Sequence, residues 1–359
     1  MLVAGMALLI IGGDLLVRGA SGLARRFGVA PLIIGLTVVA LGTSAPEMAV
    51  SVVASVRGNP GIAAGNVLGS NIFNVLVILG LAALIRPLAV HRQLLRLDVP
   101  VMVVVSLLTW LMSLDGSISR GDGLMLLAGL AAYLSIQVRQ GRRTADPGTF
   151  LPAGDADASP PPRPWPVWAL LACVTGGLVL LVLGSRWLVA AAAAAARSAG
   201  VSELVIGLTI VAAGTSLPEV AASAIAAFKH ERDLAIGNVV GSNIFNLLAV
   251  LGAASLPPAG GIPIPAAAIR FDFPVMLAVA VLCVPVFLTG RRISRAEGGL
   301  LLGYYCVYTT WLVLEAKESR DAATLGPVLL GLVILATAAF LGLTLKSALQ
   351  ARRCRRAGN

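Results

Sequence analysis

The sequence predicts an all-α integral membrane protein, an inverted five-plus-five repeat of transmembrane helices with an additional eleventh helix at its C-terminal end. Three observations predict it. Hydrophobic residues make up 58% of the 359-residue chain and charged residues 12%, with a mean hydropathy of +0.91, far from a soluble domain. Apolar runs long enough to cross a hydrocarbon core of ~30 Å recur along the chain. Residues 35–84 reappear without a gap at 207–256, 172 positions later, with 28 of 50 residues identical. The identities concentrate in two polar words, GTSxPE and GNVxGSNIFN, each set in an apolar run.

Breaking the apolar runs at charges, Gly and Pro gives spans at 1–24, 30–56, 62–85, 97–114, 122–139, 165–196, 202–228, 234–256, 271–289, 298–315 and 326–345. Helix is expected for each, because the bilayer offers a backbone no outside partner; the short alternating segments of a β-barrel are absent. No basic stretch precedes span 1, so it is expected to remain as a helix and not to be removed as a signal peptide. Within span 1, Asp14 and Arg18 are four apart and able to pair.

The basic residues orient the bundle. With the N-terminus outside, 19 of the 27 Lys and Arg fall in cytoplasmic loops and the tail, and six fall outside. The net charge of +10 is then an orientation signal; no soluble basic segment exists to carry nucleic-acid binding. A plasma membrane location, the bacterial inner membrane, is expected, with the linker and tail cytoplasmic. The tail, Lys346 to Arg356, would lie against anionic lipid.

Residues 141–164, rich in Pro, Gly, Asp and Ser, read as a flexible cytoplasmic linker. Its acids lack the spacing of a calcium-binding loop. It divides the chain into a first repeat at 1–140 and a second at 165–320, with the extra span and basic tail at 321–359. Five crossings separate the copies, so they enter the membrane from opposite sides, related by an axis in its plane.

The chemistry lies in the duplicated words. Thr43, Ser44 and Glu47 sit within one helical turn, as do Thr215, Ser216 and Glu219. Pro46 and Pro218 interrupt the backbone ladder beside them. Asn66, Ser70 and Asn74 form a stripe at i, i+4 and i+8, matched by Asn238, Ser242 and Asn246. Gly65, Gly69, Gly237 and Gly241 would let these helices approach their neighbours closely. A carboxylate at mid-membrane costs at least ~2.5–3.5 kcal/mol, and no basic residue in spans 2, 3, 7 or 8 lies at a matching depth to offset it. A cation does. Carboxylates with hydroxyls, amides and carbonyls form an oxygen-only set, suited to Na⁺ or Ca²⁺ and poorly suited to zinc or copper.

These words, in this order and twice over, resemble the α-repeats of the cation/Ca²⁺ antiporter superfamily, the sodium/calcium exchangers. In each copy the Ser of GSNIFN follows the Glu of GTSxPE by 23 residues, and the likeness extends over most of 1–320. The resemblance implies a transporter and not an enzyme, with no cofactor: an alternating-access antiporter passing Na⁺ one way and Ca²⁺ the other, the two ions competing for one central site. By motif position Glu47 and Glu219 are its carboxylates. Thr43, Ser44, Ser70 and Asn74 complete one half-site; Thr215, Ser216, Ser242 and Asn246 complete the other. Ala40 and Ala212 match positions whose backbone carbonyls join the coordination. Spans 1 and 6 resemble the family's moving gate, with the small-residue runs LVRGASGLA and LVAAAAAAA at the sliding surface. Some family members carry Asp where Asn74 or Asn246 stands here, which argues against potassium co-transport.

Proton/Ca²⁺ exchange, with Glu47 or Glu219 taking a proton, and potassium-dependent exchange are the alternatives in transport. An intramembrane hydrolase using Ser44 or Ser216 is a reading of another class, but it needs a base aimed at the serine; the only histidines, His91 and His230, fall near loop ends. The ions are the partners expected, with lipid around a chain able to act as a monomer. Cys173, Cys283, Cys306 and Cys354 have no metal or disulfide spacing. Trp165, Trp168, Trp187 and Trp311, near span ends, read as interfacial anchors.

Overall fold

The computed structural model describes residues 1–144, 165–198, 212–288 and 291–316. α1 (Leu2–Phe27) ends on Gly28, whose φ of 63° is the left-handed helix stop. Span 2 is broken: α2 (Pro31–Thr43) and α3 (Ala45–Val56) meet at a 42° bend. Ser44 leaves the helical region with ψ of 4°, and Pro46 falls in the first turn of α3, where its missing N–H costs nothing. Then come α4 (Pro60–Ile85), β1 (Leu88–Ala89), α5 (Leu94–Asp115), β2 (Ser117–Ile118) and α6 (Arg120–Thr144).

The second repeat follows the same plan. α7 (Val167–Ser198) leads to α8 (Ala212–Gly214) and α9 (Leu217–Phe228), separated at Ser216 and again carrying proline, Pro218, in the first turn. α10 (Arg232–Ala254), β3 (Ile262–Pro263), α11 (Ala266–Leu288), β4 (Arg292–Ile293) and α12 (Arg295–Ala316) complete it. Among the described residues seven helices are long and apolar enough to cross a membrane, and eight with the bent α2–α3 pair counted as one. α12 stands at the tenth predicted span; Tyr304, Tyr305, Tyr308 and Trp311 make it less apolar than the others. Residues 202–211 of the seventh span, the eleventh span, the basic tail and most of the linker lie outside the described residues.

The outer faces are bare hydrocarbon. Val3, Val104 and Trp168 are 85%, 61% and 73% exposed, a surface that a lipid solvent accepts and water does not. α10 is the reverse: its apolar window is completely buried, with the rest of the bundle packed around it. α2 packs on it closely; a Cβ at Gly237 would stand 2.8 Å from the Leu32 carbonyl. Gly241 makes a similar approach, as the sequence predicts. Gly65 and Gly69 have no described atom within 4 Å of such a Cβ, and the matching stretch of span 7 is outside the described residues.

α1 and α7 run antiparallel with their backbones touching. A Cβ on Gly12 would lie 2.8 Å from the Gly177 carbonyl oxygen, and one on Gly177 would lie 2.6 Å from that of Gly12. Gly5 meets Gly184 in the same way one heptad along. The contact therefore runs along heptad glycines; of these, only Gly19 falls within the small-residue runs singled out by the sequence. Close approach demands the absence of Cβ, which an alanine run does not supply.

Short two-stranded ladders tie the repeats together. β1 pairs antiparallel with β4, and β2 with β3. Two carboxylate–tyrosine contacts recur in the same way: the Tyr133 hydroxyl donates to Asp98 at 3.2 Å, and the Tyr308 hydroxyl to Asp272 at 3.1 Å.

Candidate cation site

Six helices become one site because the breaks in the two bent spans meet. The α2–α3 junction supplies Thr43, Ser44 and Glu47, and the α8–α9 junction supplies Thr215, Ser216 and Glu219. α4 contributes Asn66, Ser70 and Asn74; α10 contributes Asn238, Ser242 and Asn246. Glu47 is 0% exposed and Glu219 1%. Neither forms an ion pair among the described residues.

The hydroxyls of each repeat bond to the carboxylate of the other. Ser216 Oγ donates to Glu47 Oε1 at 2.9 Å, and Ser44 Oγ donates to Glu219 Oε1 at 3.3 Å. Ser216 Oγ also lies 3.3 Å from Ser70 Oγ. Thr43 Oγ1 donates to Asn238 Oδ1 at 3.0 Å, and Thr215 Oγ1 to Asn66 Oδ1 at 3.3 Å. The expected division into one half-site per repeat is thus replaced by interleaving. Two broken helices, related by a two-fold and meeting at their breaks, aim their junction hydroxyls past one another.

Asn66 and Asn238 brace the frame. Asn66 Nδ2 donates to Ser51 Oγ at 2.9 Å and to the Glu47 carbonyl at 3.3 Å; Asn238 Nδ2 donates to Ser223 Oγ at 2.9 Å and to the Glu219 carbonyl at 3.4 Å. Sequence reasoning passed over Ser51, Ser223, Asn71 and Asn243, although each is identical in the two copies. Asn71 Nδ2 reaches the Asn243 carbonyl at 3.4 Å, and Asn74 Nδ2 reaches Asn243 Oδ1 at 3.2 Å.

Asn74 and Asn246 each open a π-helical turn, Asn74–Leu79 and Asn246–Leu251, a widening of the helix frequent at functional sites. Ala40 follows another such turn, Gly35–Val39, and its carbonyl accepts from the Ser44 N–H at 3.0 Å and from Thr43 Oγ1 at 3.4 Å. Ala212 opens α8.

Five oxygens here are buried without a hydrogen-bond donor among the described residues: Glu47 Oε2, Glu219 Oε2, Asn74 Oδ1, Asn246 Oδ1 and Ser242 Oγ. Buried polar atoms ordinarily find partners, and a cluster of orphaned acceptors around two carboxylates suits a hard cation. Among the described residues no group of three or more His, Cys, Asp and Glu side chains is placed to hold a metal. What is assembled is two carboxyl groups within a shell of neutral oxygens.

A duplicated helical bundle with lipid-facing surfaces, centred on a polar site built from broken helices, defines an integral membrane antiporter and not an enzyme. The family model described as sodium/calcium exchanger protein matches residues 1–139 and 169–314, and the chain belongs to that family. It is 40% identical over 316 residues to the inner membrane protein YrbG of Escherichia coli K12, covering 87% of this chain and 95% of that one. It is 30% identical over 352 residues to the sodium/calcium exchanger MaX1 of Methanosarcina acetivorans, covering 86% and 96%. Among solved structures it is similar to the sodium/calcium exchanger from Methanococcus jannaschii, with a TM-score of 0.72, 32% identity, and coverage of 85% of this chain and 95% of that one.

Proposed function

We propose that this protein exchanges Na⁺ for Ca²⁺ by alternating access, with both ions competing for the site between Glu47 and Glu219. The observation that carries the reading is the reciprocal pair Ser216–Glu47 and Ser44–Glu219, with orphaned oxygens around it. Ser70, Ser242, Asn74, Asn246, Thr43, Thr215 and the carbonyls of Ala40 and Ala212 complete the coordination. Two fixed negative charges balance one Ca²⁺ or a set of Na⁺ ions, and one cavity does not hold both sets. A filled site is close to neutral and passes the apolar barrier; an empty, doubly charged one does not. That restriction couples the two fluxes.

The contact between α1 and α7, free of side chains along Gly12 and Gly177, supports a sliding gate. The distribution of basic residues supports an N-terminus outside the cell, a cytoplasmic linker joining repeats at 1–140 and 165–320, and a cytoplasmic tail. The likeness to an inner membrane protein of Escherichia coli supports residence in the bacterial inner membrane.

Radioactive Ca²⁺ uptake into proteoliposomes tests the reading, with Na⁺, K⁺ and H⁺ gradients applied in parallel. Uptake driven by an outward Na⁺ gradient alone is the expected result. Uptake driven only by a pH gradient would replace it with proton/Ca²⁺ exchange.

A further inference from the structure

One cavity of the protein lies apart from the cation site and gathers charge of the opposite sign. It is an open hollow of about 390 Å³ at the ends of α4, α9, α10 and α12. Arg86, Arg232, Arg292 and Arg295 line it, beside Ile85, Pro87, Ala227 and Phe228. None of the four arginines pairs with a carboxylate among the described residues. The nearby acids are engaged elsewhere: Glu231 with Arg25, Asp233 with His91 and Asp14 with Lys229, while Glu297 accepts from the Ser294 N–H. Among the described residues Arg86 meets the ring of His230, and Arg295 reaches the Ile85 carbonyl.

The duplication supplies an internal control. At the opposite end of the bundle the same corner is built from the other repeat. There Pro258 stands for Arg86, Pro60 for Arg232 and Ser117 for Arg292; only Arg295 has a basic counterpart, Arg120. The fold does not need cations at this corner. Two further positions make the point in the backbone. Gly58 and Gly116 turn with φ of 81° and 91°, and their counterparts His230 and Arg291 hold left-handed φ of 69° and 55°. A side chain in that region is strained, yet both positions carry a basic residue next to a cavity-lining arginine: His230 meets Arg86, and Arg291 adjoins Arg292. An excess of cytoplasmic arginines would orient the chain equally well if scattered among the loops; it does not require four of them around one hollow.

We propose that this cavity binds the phosphate group of an anionic phospholipid. Arginine matches phosphate with several donors at once, and basic pockets between helix ends are suited to lipid headgroups. The other wall decides for lipid over a soluble phosphate. Phe228 is 66% exposed, and with Ile85 and Pro87 it sets an apolar surface beside the arginines, where an acyl chain would lie. A bound headgroup would bridge the loops after α4, α9 and α11, and so hold the two repeats together at one membrane face.

Native mass spectrometry of protein extracted from phosphatidylcholine vesicles containing phosphatidylglycerol tests the proposal. The wild type and the Arg57→Gln control, at the opposite face, should each retain one phosphatidylglycerol. The Arg86→Gln/Arg292→Gln/Arg295→Gln variant should lose it, with affinity lowered on the order of a hundredfold. Thermal unfolding in the same vesicles should show stabilisation by phosphatidylglycerol in the wild type and none in the variant. Equal retention by all three proteins would overturn the site. Displacement by millimolar inorganic phosphate, without a preference between the two lipids, would overturn the lipid assignment and leave a soluble anion in its place. These readouts do not depend on which ions are exchanged, so their failure is separate from a failure of the transport reading.

Discussion

Ser216 and Glu47, 169 residues apart in the chain, share a 2.9 Å hydrogen bond at the centre of the bundle. Ser44 and Glu219 repeat the contact at 3.3 Å. Each carboxylate is therefore oriented by a hydroxyl that belongs to the other repeat. A movement of one repeat against the other changes both carboxylates together.

The two serines are not equal. Ser216 has the shorter bond and a second contact with Ser70, so Ser216→Ala should weaken Ca²⁺ affinity more than Ser44→Ala. A hydrogen bond to a charged group contributes about 1.5–3 kcal/mol, which corresponds to a roughly tenfold or greater rise in half-saturating Ca²⁺ for Ser216→Ala. Uptake measured against external Ca²⁺ checks the ranking; equal effects would show that the longer bond matters as much.

Asn238 and Asn66 should be structural in effect. Asn238 is buried and Asn66 partly exposed, although they make matching bonds. Asn238→Ala removes the bonds to Thr43, Ser223 and the Glu219 carbonyl, and each lost bond costs about 0.5–1.5 kcal/mol. Its melting temperature should fall further than that of Asn66→Ala, whose neighbours are nearer to water. Thermal unfolding of both variants in detergent decides it.

Gly12→Ala tests the contact between α1 and α7. The added methyl would stand 2.8 Å from the Gly177 carbonyl, and overpacking of this kind costs about 1–3 kcal/mol. Exchange should slow while equilibrium Ca²⁺ binding changes little, because the site lies on other helices. A variant with weakened binding and unchanged turnover would place the defect at the site.

Asp14 joins α1 to the end of α9. It accepts from Arg18 at 2.7 Å and from Lys229. Both acid and lysine are about 30% exposed, so Asp14→Asn should reduce stability by at most about 1 kcal/mol. Its effect should fall on the rate of exchange, since one partner sits on the proposed gate and the other at the end of α9. An unchanged rate with a large loss of stability would make the pair structural alone.

Much of this was legible because duplication marks function twice. The words around Glu47 and Glu219 stand out from an apolar background, where a polar residue needs a reason. Hydropathy located the helices, and the odd number of crossings placed the copies in inverted relation. The interleaving was not legible: helical spacing puts Ser44 beside Glu47, and only the tertiary crossing sends its hydroxyl to Glu219. The π-helical turns at Asn74 and Asn246 were hidden for a similar reason, since packing against the neighbouring helices decides where a ladder widens. Composition marked the small residues of spans 1 and 6, yet it could not tell alanines on the periphery from Gly12 and Gly177, where backbones touch.

The central claim is that two buried carboxylates from opposite repeats hold the same cation. Equilibrium Ca²⁺ binding to the wild type, Glu47→Gln, Glu219→Gln and the double variant tests it most directly, with a thermal melt on each sample to report folding. One shared site predicts that either single change abolishes Ca²⁺ binding and that the double change adds no further loss. Two independent sites would leave each single variant binding half the Ca²⁺ with normal affinity, and that result would contradict the account.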